Sequence, residues 1–198
     1  MKEITIENIN INNKEYNLII NNISNEINKA PETDFIPGVS RRYNENDIPG
    51  IKKLYEILIP YIKQNYTNNS EIKILDIKIL KHLQGPYKKE GAFIWHHDNH
   101  PHNILNIIIY LTDVDDKSGG FQYVSENNQA VKIPFKPPMG GKYHESYVNK
   151  MTKNNKFEIK TIEGIKGTAF IFDNCIIHRA SIPSNKDRLA LILQITDI

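Results

Sequence analysis

A mainly β fold, a double-sheet jelly roll (double-stranded β-helix, cupin-like in outline) with a buttressing N-terminal helix, is predicted by three observations. After Asn69 the chain breaks into eight β-rich runs, at 72–83, 92–98, 104–112, 120–125, 156–163, 167–173, 175–181 and 187–196. Short runs with turn signals between them suit a sandwich or closed barrel. Apolar residues recur at helical spacing once before these runs. The 198 residues, 39% of them hydrophobic, suffice for one buried core and hence one domain, with 1–70 as an N-terminal region and 71–196 as the β core.

Taken in order, residues 2–22 alternate apolar and polar in the strand manner around Asn12-Asn13, which predicts a hairpin leading into the fold. From Asn25 to Gly50, Pro31, Pro37, Gly38 and Pro49 break regular structure and predict a loop carrying Arg41 and Arg42. Ile51, Leu54, Tyr55, Leu58, Ile59 and Ile62 then predict an amphipathic helix over about 47–66. Asn46 or Asp47 would cap it, and Pro60 would kink it or end it early. Within the β region, Pro134, Pro137-Pro138 and Gly140-Gly141 interrupt 126–155. That stretch reads as an insertion, a lid or binding loop holding at most a short helix near 144–151.

Composition narrows the partners. A formal charge of +2, from 25 basic and 23 acidic residues, gives no field suited to nucleic acid or an anionic membrane, so a small-molecule substrate is expected. The start, Met1 to Glu7, alternates apolar and charged residues and lacks the apolar stretch of a signal peptide, and no window reaches membrane-spanning length. The single cysteine, Cys175, can form no internal disulfide and is given no catalytic role. A cytoplasmic monomer or homodimer is the expectation.

The chemistry is carried by His96-x-Asp98, followed by His178 and, ten residues later, Arg188. In an extended strand residues i and i+2 share a face, so His96 and Asp98 can grip one ion while His97 points away. Two imidazoles and one carboxylate make the facial triad that holds non-haem Fe(II) and leaves positions open for oxygen chemistry. His178 lies in the β-rich run from Cys175, which a jelly roll can bring opposite the first pair. The bland alternatives are substantial: H-x-D arises often by chance, and a lone histidine is more often a surface or core residue. His96, His97, Asp98, His100 and His102 also form a cluster that can supply Zn(II) from one loop. Against zinc, Pro101 and the turn at Asn99 splay these histidines, and such a site leaves His178 and Arg188 unexplained.

With these residues stand Trp95-His96-His97-Asp98-Asn99, the run Leu105 to Val114, Gly119-Gly120-Phe121-Gln122-Tyr123-Val124, and Gly167 to Asn174 continuing through His178-Arg179-Ala180 to Arg188. In this order they resemble the Fe(II)/2-oxoglutarate-dependent dioxygenases, most closely the phytanoyl-CoA dioxygenase-like branch, over roughly residues 71–196. The resemblance implies that His96, Asp98 and His178 bind iron, and that Arg188 pairs with the far carboxylate of 2-oxoglutarate. A guanidinium is a planar fork that meets a carboxylate bidentately, where lysine offers only a point charge. Fe(II), 2-oxoglutarate as co-substrate and O2 are the implied cofactors, and succinate and CO2 the implied by-products. Asp98 further implies hydroxylation, since halogenases of this superfamily carry a small residue there.

Two departures are visible. Relatives often carry a hydroxyl two residues after the co-substrate arginine, where this chain has Ala190, so a second contact to that carboxylate must come from elsewhere. Ser125-Glu126-Asn127-Asn128 stands where a Pro-Gly-Ser-His turn is common.

Asn106, a polar residue amid Ile and Leu, needs a partner if buried, either the co-substrate or a cross-strand hydrogen bond. Tyr110 shares its face and ranks lower as a co-substrate contact, aromatic residues on strands being usually packing. Thr168 and Gln194 are read as structural. Lys132, Lys136, Lys142, His144 and Tyr147 of the insertion, with Arg41 and Arg42, predict an entrance favouring a small polar or anionic metabolite. The rival functions are nucleobase or side-chain demethylation, which the modest net charge does not encourage, and a zinc hydrolase, for which no general base is evident. From another class comes a cupin-type metal-binding barrel without oxygenase activity, an isomerase or binding module. Such a barrel has no use for Arg188.

Overall fold

The computed structural model describes residues 5–11, 13–67, 71–86, 90–98, 104–133, 141–153 and 155–197. After β1 (Ile6–Ile9) the chain turns into helix α1 (Lys14–Glu26) rather than back along a second strand, which corrects the expected hairpin over 2–22. The reason is local. Asn13 is a helix cap, its side-chain oxygen accepting from the Glu15 N–H at 2.8 Å, and Tyr16, Ile19, Ile20 and Ile23 follow at helical spacing and are buried.

The 25–50 stretch is likewise more ordered than expected, with strands β2 (Glu32–Ile36) and β3 (Ser40–Tyr43) paired in a hairpin. Pro37-Gly38 is the turn between them, Gly38 taking φ +70°.

Helix α2 (Ile51–Tyr66) is entered through Gly50 in the left-handed region, not through Asn46 or Asp47, which sit in a preceding 3-10 turn capped by Asn44. Pro60 does not end it. Pro60 lies on the exposed face, as does Glu56, whose carbonyl loses its helical partner and can turn to water.

The remaining elements are β4 (Ile72–His82), β5 (Trp95–His96), β6 (Ile104–Tyr110), β7 (Phe121–Glu126), β8 (Gln129–Ala130), β9 (Lys142–Tyr143), α3 (Glu145–Thr152), β10 (Phe157–Ile162), β11 (Ala169–Asp173), β12 (His178–Ala180) and β13 (Arg188–Asp197). Among the described residues they form two antiparallel sheets, one of order β1-β11-β6-β13-β4-β3-β2 and one of order β10-β7-β12-β5-β9, with β8 paired to β7. This is the expected jelly roll. No described helix is long and apolar enough to cross a membrane.

Alternation along the strands of the larger sheet sorts its two faces. Leu105, Ile107 and Ile109 of β6 and Leu189, Leu191, Leu193 and Ile195 of β13 pack under α1 and α2, with Leu54, Leu58 and Ile62. Their neighbours Ile108, Tyr110 and Ala190, with Phe170 and Phe172 of β11, face the smaller sheet and pack with its Phe121. Because helices cover one face and the second sheet the other, β6 is apolar almost throughout. Polar side chains on the inward face, among them Asn106 of β6, Arg188 and Gln194 of β13 and His82 of β4, mark the site.

Candidate metal centre and cavity

β5 and β12 are antiparallel neighbours in the smaller sheet, and His96 and His178 are direct cross-strand partners, their rings 4.3 Å apart. The Nδ1 of His96 lies 2.7 Å from the Ile94 carbonyl and that of His178 3.0 Å from the Ile176 carbonyl. A carbonyl only accepts, so each Nδ1 carries the proton and each Nε2 keeps a free lone pair. Those two Nε2 atoms lie 3.6 and 3.9 Å from the Asp98 carboxylate oxygens. Ligand atoms of His96, Asp98 and His178 all fall within 4.8 Å of one another, close enough for bonds of about 2.1 Å to one ion after small side-chain rotations.

Burial between Phe121 and Phe172, then the neighbouring His96, hold the His178 pKa down to about 4, against the opposing pull of Asp98. A neutral imidazole is the form that ligates metal.

Asp98 is fixed from behind. Its backbone N–H donates to the Asn174 carbonyl at 2.9 Å, and its side chain accepts from Asn106 Nδ2 at 2.8 Å. The same Nδ2 donates to Asn174 Oδ1 at 2.6 Å, and the Asn174 amide in turn donates to the Ile104 carbonyl. With its nitrogen committed to a carboxylate, the Asn106 amide can be oriented only one way, and its buried Oδ1 has no partner among the described residues.

These groups open onto a cavity of about 290 Å³ between the sheets. Across it, on the larger sheet, Arg188 is 5% exposed; Nη1 donates to the Gly119 carbonyl and Nη2 bonds Nδ1 of His82. His82 is the register partner of Arg188 on β4. Two imidazoles and a carboxylate with one open side fit a non-haem ferrous ion, and a buried guanidinium across the same cavity fits the far end of a short dicarboxylate.

No family model and no curated protein matches the sequence. Solved structures do resemble it. HygX from Streptomyces hygroscopicus, with nickel and 2-oxoglutarate bound, is similar at TM-score 0.67 and 12% identity, over 98% of this chain and 83% of that one. The epimerase SnoN, in complex with Fe3+, alpha-ketoglutarate and nogalamycin RO, is similar at TM-score 0.66 and 12% identity, over 98% and 79%. The fold is that of the 2-oxoglutarate- and iron-dependent enzymes. A 2OG-Fe(II) oxygenase-family oxidoreductase from Burkholderia pseudomallei shares it at TM-score 0.54 and 12% identity, over 87% and 77%.

Within this fold the predicted residues distribute unevenly. His96, Asp98, His178, Asn106 and Arg188 all line the cavity. Tyr110 does not, which corrects its expected co-substrate contact: its hydroxyl donates to the Ile162 carbonyl at 2.8 Å and accepts from the Phe121 N–H at 3.0 Å, bracing the sheets. His97 turns away as expected, Nδ1 bonding the Tyr143 hydroxyl at 2.7 Å and Nε2 accepting from the Gly141 N–H at 3.1 Å. Burial holds it below the usual imidazole range. His100 and His102 lie outside the described residues, as does Lys136. Cys175 is buried, its thiol pushed up to about 11, in keeping with an inert role.

Of the expected entrance residues, Arg41, Arg42, Lys132, Lys142, His144 and Tyr147 are described and none lines the cavity. Arg41 pairs with Asp34, Arg42 donates to the Ile77 carbonyl at 3.1 Å, Lys132 pairs with Asp173 at 2.9 Å, and His144 caps α3. The outer cavity wall is instead Phe35, Ile36, Leu80, Ala92 and Ile192, with Lys78 held by Asp76 at 2.8 Å. Gln194, structural by its sequence context, also lines it.

His82 escapes sequence reasoning. It sits in a run of alternating residues where a histidine looks like packing, and only the pairing of β4 with β13 brings it to Arg188.

Proposed function

We propose that the protein is an Fe(II)- and 2-oxoglutarate-dependent oxygenase of hydroxylase type acting on a small molecule. His96, Asp98 and His178 would hold the iron, and Arg188 would receive the far carboxylate of 2-oxoglutarate. The carrying observation is that an open-sided set of two imidazoles and one carboxylate faces a buried guanidinium across one cavity. When bound, iron and 2-oxoglutarate supply the oxidising chemistry, in which O2 is consumed, succinate and CO2 are released and a substrate carbon is oxidised.

The chain's own residues do the positioning. Ile94 and Ile176 fix the tautomers, Asn106 and Asn174 aim the carboxylate, and Phe121 and Phe172 keep one wall dry. The largely apolar outer wall favours a substrate that presents some uncharged carbon surface, whereas the loop cations suggested a polar or anionic metabolite. HygX also has a structure with hygromycin B bound, which supports a small-molecule substrate. A cupin-type binding barrel is disfavoured because it gives no role to a buried guanidinium that lines the same cavity as the triad.

Anaerobic addition of Fe(II) and 2-oxoglutarate is expected to give the weak visible absorption of a metal-bound 2-oxo acid. Arg188→Ala should raise the 2-oxoglutarate needed by on the order of a hundredfold. Intact protein that gives no absorption at saturating Fe(II) overturns the reading.

A further inference from the structure

The structure assigns to His82, which nothing in the sequence marks, the second contact to the far carboxylate of the co-substrate; this assignment rests on the function proposed above. The argument is one of protons. A guanidinium has donors and no acceptor, so the Nδ1 atom that meets Arg188 Nη2 must offer a lone pair. The ring's proton is therefore on Nε2, and among the described residues no group accepts it. His82 is 4% exposed and lines the cavity beside Arg188, so this N–H is a donor available to an acceptor that enters the cavity. Burial and the adjacent guanidinium hold the ring neutral, which preserves this tautomer across the working pH range. Phe93 packs edge-on against the ring at 4.9 Å between centroids and fixes its plane.

The location matches what the strand lacks. Position 190, on the same face of β13 as Arg188, is an alanine with no hydroxyl to offer, and its partner on β4 is Leu80. The polar atom beside the guanidinium comes from the neighbouring strand instead. Arg188 and His82 together present two kinds of N–H to one carboxylate, so they select a dicarboxylic 2-oxo acid over a monocarboxylic one.

The test is an anaerobic titration of the Fe(II)-loaded protein, read by the visible absorption, with 2-oxoglutarate and separately with 2-oxopentanoate. The latter has the same 2-oxo acid end and chain length but a methyl in place of the far carboxylate. His82→Leu is expected to raise the midpoint for 2-oxoglutarate about tenfold and to leave that for 2-oxopentanoate unchanged. His82→Gln, which retains an acceptor for Arg188 and a donor for the carboxylate, should recover most of the loss, and it carries the test if His82→Leu fails to fold. Equal shifts for both acids, or no shift for either, overturn the assignment to His82 while leaving the function standing. Intact protein without absorption from either acid overturns both.

Discussion

At the scale of single residues, the carboxylate of Asp98 owes its aim to one amide. Asn106 donates to it from the larger sheet while Asp98 follows directly on β5 of the smaller, so the bond joins the sheets at the metal centre. Asn106→Leu keeps the volume and removes the bond. Fe(II) affinity is expected to fall about 10- to 100-fold, as for other partners of ligating side chains, with a titration of the metal as the measurement. A second residue-scale expectation concerns pH. His178 titrates near 4 in the folded metal-free protein and His82 is held well below its usual range, whereas both unfold to a value near 6.5. Because the unfolded chain takes up these protons first, stability is flat above about pH 6.5 and falls between there and about pH 4, by about 3 kcal/mol from His178 alone. Urea unfolding of the metal-free protein across that window measures it, and a pH-independent midpoint would contradict it.

The triad is legible in the sequence because its two near ligands obey strand alternation and its third belongs to a separate β-rich run. His82 is not, because its role depends on β4 pairing with β13, a contact between residues 106 positions apart that no local pattern records.

At the scale of elements, the turn preceding β7 places the guanidinium. Gly119 has φ +84°, its carbonyl accepts from Arg188, and a Cβ there would meet the Ser181 carbonyl oxygen at 2.9 Å and the Pro183 ring. Gly119→Ala is therefore expected to cost about 2–3 kcal/mol and to weaken 2-oxoglutarate binding as well. Gly38→Ala, at φ +70° with nothing within 4 Å of the added carbon, should cost only about 1 kcal/mol and leave binding alone. Thermal unfolding with parallel binding titrations distinguishes a turn that merely connects from one that positions.

The elements least legible in the sequence are those before α2. The alternation of 2–11 runs on visually into 14–26, and the cap at Asn13 that separates strand from helix looks like a hairpin turn. The prolines and glycines of 31–50 read as breakers, although Pro37-Gly38 is the tip of a hairpin whose strands are short and largely lack an apolar signature, β2 being exposed almost throughout. From β4 onward the runs are legible, because helices on one side and a second sheet on the other leave clear hydrophobic patterns.

At the scale of the molecule, the larger sheet carries helices outside and the cavity inside, and the smaller sheet closes it. The proposed iron ligands all come from the smaller sheet and its flanking segment, so metal alone ties β5 to β12 within one layer. Co-substrate would add a tie across layers, to Arg188. Each ligand at about a hundred times its dissociation constant adds about 2.7 kcal/mol. Anaerobic calorimetry should therefore show two steps, each raising the melting temperature by roughly 5–10 °C. 2-Oxoglutarate without metal should give much the smaller rise, and equal rises with and without metal would refute the bridging arrangement.

The two anchors stand on opposite walls, which makes the cavity a gauge of length as well as of charge. On the proposed function, 2-oxoglutarate would be held at its 2-oxo acid end by the triad's metal and at its far carboxylate by Arg188. Succinate, which keeps the same reach but lacks the 2-oxo acid end, would retain the hold at Arg188 and lose much of the other, so the by-product would leave more readily than the co-substrate.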